Sequence, residues 1–220
     1  MRVRFANVAG GCRVGFEFLA VDAAQPEGGR TPLARSPMER AARAAGARFE
    51  VRDGWNVAVA SEAGRCAWTD VSHLGKLELH GSPAAIGIAL ELGTAMRDGE
   101  TWWCPVTRGR TLAICPAGET AALRARLEEA AGAAAVVDVT TAYAALAISG
   151  PLAREVFARF CALDLRPAAM PVGAFRPGSV ARTPGMVLRE AEDRYLMLFG
   201  WALGEYMWTV VADAAEGADA

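Results

Sequence analysis

Twice along this chain a run of strand-like segments stops at a glycine and a proline and gives way to a helical pattern. The stops are Gly81-Ser82-Pro83 and Gly150-Pro151. Glycine ends a strand by entering backbone conformations closed to other residues, and proline, with its fixed φ and missing N–H, suits the first turn of a helix. Val137-Asp138-Val139 before the second stop echoes Thr69-Asp70-Val71-Ser72 before the first, as an internal duplication would. The pattern calls for an α+β fold of two similar, interlocked ββα-type halves.

The elements follow from local signals. Ser36 as a cap, Pro37 at the first helical position and Glu39 completing a capping box predict a helix whose Met38, Ala41, Ala42 and Ala45 share a face until Gly46. Phe49–Val51 and Trp55–Val59 read as strands about an Asp53-Gly54 turn. Ser82-Pro83 predicts a helix carrying Ile86, Ile88, Ala89 and Leu92 up to Gly93. Trp102–Val106 and Thr111–Cys115 form a hairpin about Arg108-Gly109, and Glu119–Ala131 is an amphipathic helix with Leu123 and Leu127 inward. Strands at Ala135–Thr140 and Ala144–Gly150, a helix at Pro151–Phe160, a strand pair at Ala181–Glu190 and Arg194–Phe199, and a helix at Ala202–Ala214 complete the series. We divide the chain into a poorly specified arm (1–30), one domain (31–214) and a tail (215–220).

Composition excludes several classes of function. With 220 residues, 53% of them hydrophobic, the chain can bury a core, and a net charge of -2 gives no footprint for nucleic acid. No apolar run approaches the ~20 residues that span a bilayer. Five cysteines without a Cys-x-x-Cys pair, and only His73 and His80 beside them, offer no metal-ligand spacing. They read as reduced cysteines of a cytoplasmic protein.

Chemistry concentrates between Trp68 and Gly81. Asp70, Ser72 and His73 form a polar turn, Gly75 a hinge, and Lys76–His80 alternate charged with apolar residues as a half-buried strand does. Asp70 and Ser72 read either as turn-stabilising groups or as ligand contacts, and His73 as a structural histidine or a proton shuttle. Trp102, Trp103 and Trp201 suit stacking on a flat heterocycle, core packing or a subunit interface. Arg154 and Arg182 suit surface ion pairs or an anion.

The Asp70-Val71-Ser72-His73 segment before a strand ending in Gly81 resembles the glycine-cleavage T-protein (aminomethyltransferase) family. Pro32-Leu33, Gly46-Ala47-Arg48-Phe49 and Gly54-Trp55 resemble that family's opening. Gly150-Pro151-Leu152-Ala153-Arg154 is similar to its Gly-Pro-x-Ala-Arg element. In length, and in Val136–Val139, Cys161–Leu165, Pro177-Gly178, Ala181-Arg182-Thr183 and Asp193–Leu196, the chain is most similar to the sarcosine oxidase gamma subunit. The resemblance implies a folate-binding fold, with Asp70, Ser72, His73, Arg182 and Glu192 as candidate cofactor contacts and tetrahydrofolate as the cofactor. It also implies flavoprotein partner subunits in an amine-oxidising complex, with flavin reaching the assembly only through them.

The family's catalytic aspartate lies in a hairpin that here runs Trp103–Leu112 and holds no carboxylate, and its Arg-Thr-Gly-Tyr-Thr-Gly-Glu loop is reduced to Arg189–Asp193. Arg108 and Arg110 stay protonated and cannot take the aspartate's proton-transfer role. No catalytic residue is therefore assigned. The resemblance implies a subunit of a larger flavoenzyme in tetrahydrofolate-linked one-carbon metabolism. The alternatives are a free-standing aminomethyltransferase-like enzyme and a non-catalytic folate-binding protein.

Overall fold

The computed structural model describes residues 33–218, apart from positions 60, 64, 82, 83, 85, 86 and 132–134. The arm at 1–30, the start of the helix expected at Ser82-Pro83 and the end of the tail lie outside these residues. The elements in chain order are β1 (Ala34–Arg35), α1 (Glu39–Ala44), β2 (Phe49–Arg52), β3 (Trp55–Ala58), β4 (Ser61–Ala63), β5 (Cys66–Asp70), β6 (Gly75–His80) and β7 (Met96–Asp98). After them come β8 (Thr101–Thr107), β9 (Arg110–Cys115), α2 (Thr120–Ala131), β10 (Ala135–Asp138), β11 (Tyr143–Ser149) and α3 (Ala153–Ala158). The chain closes with β12 (Phe175–Val180), β13 (Thr183–Ala191), β14 (Arg194–Gly200) and α4 (Gly204–Glu216).

The strands build a six-stranded sheet in the order β12-β13-β14-β11-β5-β4, a five-stranded sheet β10-β6-β9-β8-β7 and a small sheet β1-β3-β2. The two large sheets lie face to face, and Cys104, Leu112 and Ile114 of one meet Ala145, Met186, Leu188 and Leu198 of the other. Behind the six-stranded sheet, Trp68, Leu146, Val187 and Met197 are covered by α1, α3 and α4 through Ala42, Phe157 and Trp208. Behind the five-stranded sheet, Leu123 and Leu127 of α2 cover Leu77, Trp103 and Ala113. Each fully buried leucine in these layers contributes roughly 2 kcal/mol of apolar transfer.

Each large sheet borrows from the other end of the sequence. β5 leaves the first part of the chain to pair with β11, and β10 leaves the second part to pair with β6. The crossings are fastened alike. Val71 N–H donates to Ala145 O (3.0 Å) and Val139 N–H to Lys76 O (2.9 Å). Ser72 Oγ accepts the Ala145 N–H at 3.1 Å, and Thr140 Oγ1 accepts the Lys76 N–H at 3.0 Å.

The Asp53-Gly54 hairpin has both turn residues at positive φ, +50° and +77°, the type I′ geometry that matches strand twist. The helix after Gly81 is a correction: residues 88–91 run without regular structure, because Gly87 sits at φ +76°, which a right-handed helix cannot take. The first helix begins at Glu39 rather than Pro37, and Ser36 Oγ caps the turn before it by accepting the Met38 N–H at 3.1 Å. Lys76–His80 is also not half-buried: four of those five residues are buried, since the strand lies between α2 and the opposite sheet.

Candidate functional site

Asp70, Ser72 and His73 do form one structure, the turn from β5 to β6. Asp70 Oδ1 accepts the Ser72 N–H at 2.9 Å, which folds the backbone into an Asx turn. The carboxyl is wholly buried and its Oδ2 has no hydrogen-bond partner. Burial pushes the Asp70 carboxyl above its ordinary value, tempered by the nearby Ser36 hydroxyl, by Ser72 and by His73. Ser72 spends its hydroxyl on the crossing to Ala145.

Lys76 holds this turn from beneath, and its burial is the feature that sequence reasoning missed. Its side chain is fully buried on the face of β6 turned toward the six-stranded sheet. Nζ donates to the carbonyl oxygens of Leu74 (2.8 Å), Ser72 (3.0 Å) and Thr140 (3.4 Å), so one ammonium ties both sheet crossings together. Burial pushes its pKa down to about 8, with Asp70, Asp138 and Cys115 acting the other way. The alternation of Lys76, Glu78 and His80 gave a signal for one shared face but none for what covers it.

Farther along β6, Glu78 is buried beside Arg110, which donates to both carboxylate oxygens at 3.1 and 2.6 Å, and His80 Nε2 lies 2.5 Å away. Burial alone would raise the Glu78 carboxyl, but Arg110 and His80 hold it below its ordinary value. Trp103 is core beneath α2, whereas Trp102 and Trp201 are half-buried and Trp201 meets Trp55 edge-on at 5.7 Å.

Arg182 and Glu192 stand apart from the Asp70 turn and from each other. Arg182 is the exposed tip of the β12–β13 turn, at φ +61°, and Glu192 is exposed in the β13–β14 turn. The nine residues of β13 separate them, a span of about 30 Å at strand rise. In the sheet register Asp70 faces Leu146, Leu146 faces Met197 and Met197 faces Val187, so Asp70 sits level with the middle of β13 and roughly 20 Å from either end.

A second concave region opens beside the Glu192 turn. It is a pocket of about 340 Å³ between the sheets, where Trp102 and Ile114 face Glu190, Ala191 and Arg194, with Glu100 at its side. Arg97 lies over the Trp102 ring at 5.6 Å and Arg194 donates to Glu190 at 2.7 Å. Carboxylates, guanidinium groups and an indole face are the groups that grip a flat, polar heterocycle. Among the described residues no cluster of three or more His, Cys, Asp or Glu side chains could hold a metal ion.

The sequence profile of the sarcosine oxidase gamma subunit family matches residues 80–217. The chain belongs to this family. Among solved structures, a chain of heterotetrameric sarcosine oxidase from Corynebacterium sp. U-96 matches with a TM-score of 0.70 at 23% identity, over 84% of this chain and 96% of that one. The glycine cleavage system aminomethyltransferase T of Bartonella henselae matches with a TM-score of 0.65 at 16% identity, over 81% of this chain and 57% of that one. At these identities the likeness is one of fold, and that fold is the T-protein-like α+β arrangement. No significant match was found among curated proteins. No helix among the described residues is long and apolar enough to cross a membrane.

Proposed function

We propose that this gamma-family chain is a structural subunit of a cytoplasmic, heterotetrameric amine-oxidising complex whose other chains carry flavin and whose one-carbon product passes to tetrahydrofolate. The match to the gamma subunit family over residues 80–217 carries this reading. The β8–β9 hairpin supports it, because Thr101–Cys115 contains no carboxylate to manage a proton at a folate nitrogen. Purification of the tagged chain from its host tests the assembly. Co-eluting chains with a flavin absorption spectrum are expected, and a colourless protein eluting alone would overturn the proposal.

The inter-sheet pocket favours a second, compatible reading in which tetrahydrofolate still touches this chain. Trp102 offers a stacking face, Glu190 and Glu100 offer acceptors for a pterin's N–H edge, and Glu192 stands one residue beyond the pocket wall. Of the residues expected to meet the cofactor, Asp70, Ser72 and His73 then shape the fold around it, and Arg182 lies at a distance. Titration calorimetry with tetrahydrofolate should give a heat that Glu190→Gln and Trp102→Ala abolish. A silent titration with no rise in Tm would remove folate from this chain, since ligand at ~100 times Kd stabilises by about 2.7 kcal/mol.

The paired crossings support one further part of the reading: residues 31–214 form a single domain of two interlocked, duplicated halves. Asp70 with Ser72 and Asp138 with Thr140 are Asx turns of the same length, each accepting a backbone N–H from the opposite half.

A further inference from the structure

At the foot of the Asp70 turn lies a cleft of about 520 Å³ that the reading above leaves unused. Its walls carry Asp53 and Asp138, the Trp55 indole, the hydroxyls of Thr120 and Thr140, and the ring of His73, with no Lys or Arg lining it among the described residues. Asp53 and Asp138 are exposed, and Trp55 is half-buried against Trp201. The nearby cations are engaged elsewhere. The Lys76 ammonium donates to carbonyl oxygens, and Arg52 is paired with Glu50. The α2 N-terminus adds a partial positive charge of about half a unit, offset by Glu119 in the preceding turn.

His73 supplies the second observation. The residue is 7% exposed, and its Nδ1 is sealed from solvent without a hydrogen-bond partner. Burial first, and Arg52 next, hold the imidazole below its ordinary value, so at neutral pH the ring is uncharged and puts no positive charge on the cleft wall. The carboxylates and hydroxyls are acceptors, and an indole face attracts cations. A guanidinium answers the carboxylates, the hydroxyls and the indole: it is planar, stacks on aromatic rings, has five N–H donors and no acceptor, and keeps its charge at all working pH values.

We propose that this cleft receives an arginine side chain from a partner chain of the assembly, seated on Trp55 between Asp53 and Asp138. The partner's part in this rests on the proposed subunit role, whereas selectivity for a guanidinium can be read on the chain alone.

The test is a titration of the ¹⁵N-labelled chain with N-acetyl-arginine-amide, following the Trp55 indole N–H, assigned with Trp55→Phe. The uncharged isostere N-acetyl-citrulline-amide serves as control. Arginine should shift the resonance saturably and citrulline should not. Asp53→Asn and Asp138→Asn should each weaken binding about fivefold, the scale of one partly exposed ion pair. Both variants should keep the fold, because asparagine tolerates the positive φ at position 53 and its side-chain oxygen can still accept the Thr140 N–H. Equal shifts with the two probes, or no saturation at tens of millimolar, would overturn the site. Repeating the titration on the assembled complex tests whether a partner covers the cleft. Loss of probe binding there is the expected result, and replacing the partner arginine that covers the cleft by Gln should restore it. Undiminished binding would overturn the partner assignment even if the lone chain selects guanidinium.

Discussion

The turns at Asp70 and Asp138 are built alike and placed differently. Each carboxylate accepts the N–H two residues ahead at 2.9 Å, and each following hydroxyl reaches across to a strand more than sixty residues away. Yet Asp70 is wholly buried while Asp138 is exposed at a cleft. The same local chemistry is therefore a structural brace at one crossing and an available charge at the other. Burial, rather than motif, separates the two roles.

The comparison is broken most directly by deleting each carboxylate. Asp70→Ala strands the buried Ser72 N–H and should cost about 2 kcal/mol in urea denaturation, against less than about 1 kcal/mol for Asp138→Ala, where water replaces the lost oxygen. Equal losses would mean that burial does not divide the turns. The crossing hydroxyls come next. Ser72→Ala should cost about 1.5 kcal/mol because the Ala145 N–H is left without a partner, and Thr140→Ala should cost somewhat less at its half-buried position. Since the Lys76 ammonium touches both turns, a double-mutant cycle of the two should show coupling of about 0.5 kcal/mol or more, and strict additivity would count against a shared fastening.

Smaller, pH-dependent effects sharpen the contrast. Lys76 has a folded pKa of about 8, below its unfolded value of 10.5, so the unfolded chain binds more protons across that window. Its contribution to stability should rise as pH climbs from about 8 toward 10.5, and Lys76→Met should remove that rise. Asp70 is raised in the folded state, so its contribution falls as pH rises from the unfolded pKa through the folded one. Asp70→Asn should flatten that fall, and Asp138→Asn should leave it in place. Glu78, held low in the folded state, works in the opposite sense: its stabilisation is present above the unfolded pKa and fades as pH drops through the folded value. A Glu78→Gln variant should lose less stability on acidification than the parent chain.

Most strands were legible in the sequence because each has local turn or alternation signals, as at Asp53-Gly54 and Arg108-Gly109. β12 was not, since Pro177 and Gly178 sit inside it. At the edge of the six-stranded sheet a missing N–H is tolerated, which sequence cannot foretell. The helix expected after Ser82 failed at a glycine in a conformation that only the backbone reveals. The Asp70 turn was readable because its groups are neighbours in sequence. Grouping Arg182 and Glu192 with it required knowing that a whole strand lies between them, and the burial of Lys76 required knowing what packs over β6. Both are facts of sheet stacking rather than of local pattern.

The exchange of β5 and β10 between the large sheets also has a bearing on how the chain acquires its form. A chain emerging in sequence makes β5 and β6 long before the strands that complete them: Ala145 must arrive before the Asp70 crossing closes, and Thr140 before Lys76 is fastened. Pairings at this separation carry the loop-closure entropy that slows folding. Cut between α2 and β10, the protein would yield two fragments, each with an incomplete sheet and unpaired strand edges, so neither piece is a unit of folding and the two must be present together to acquire order.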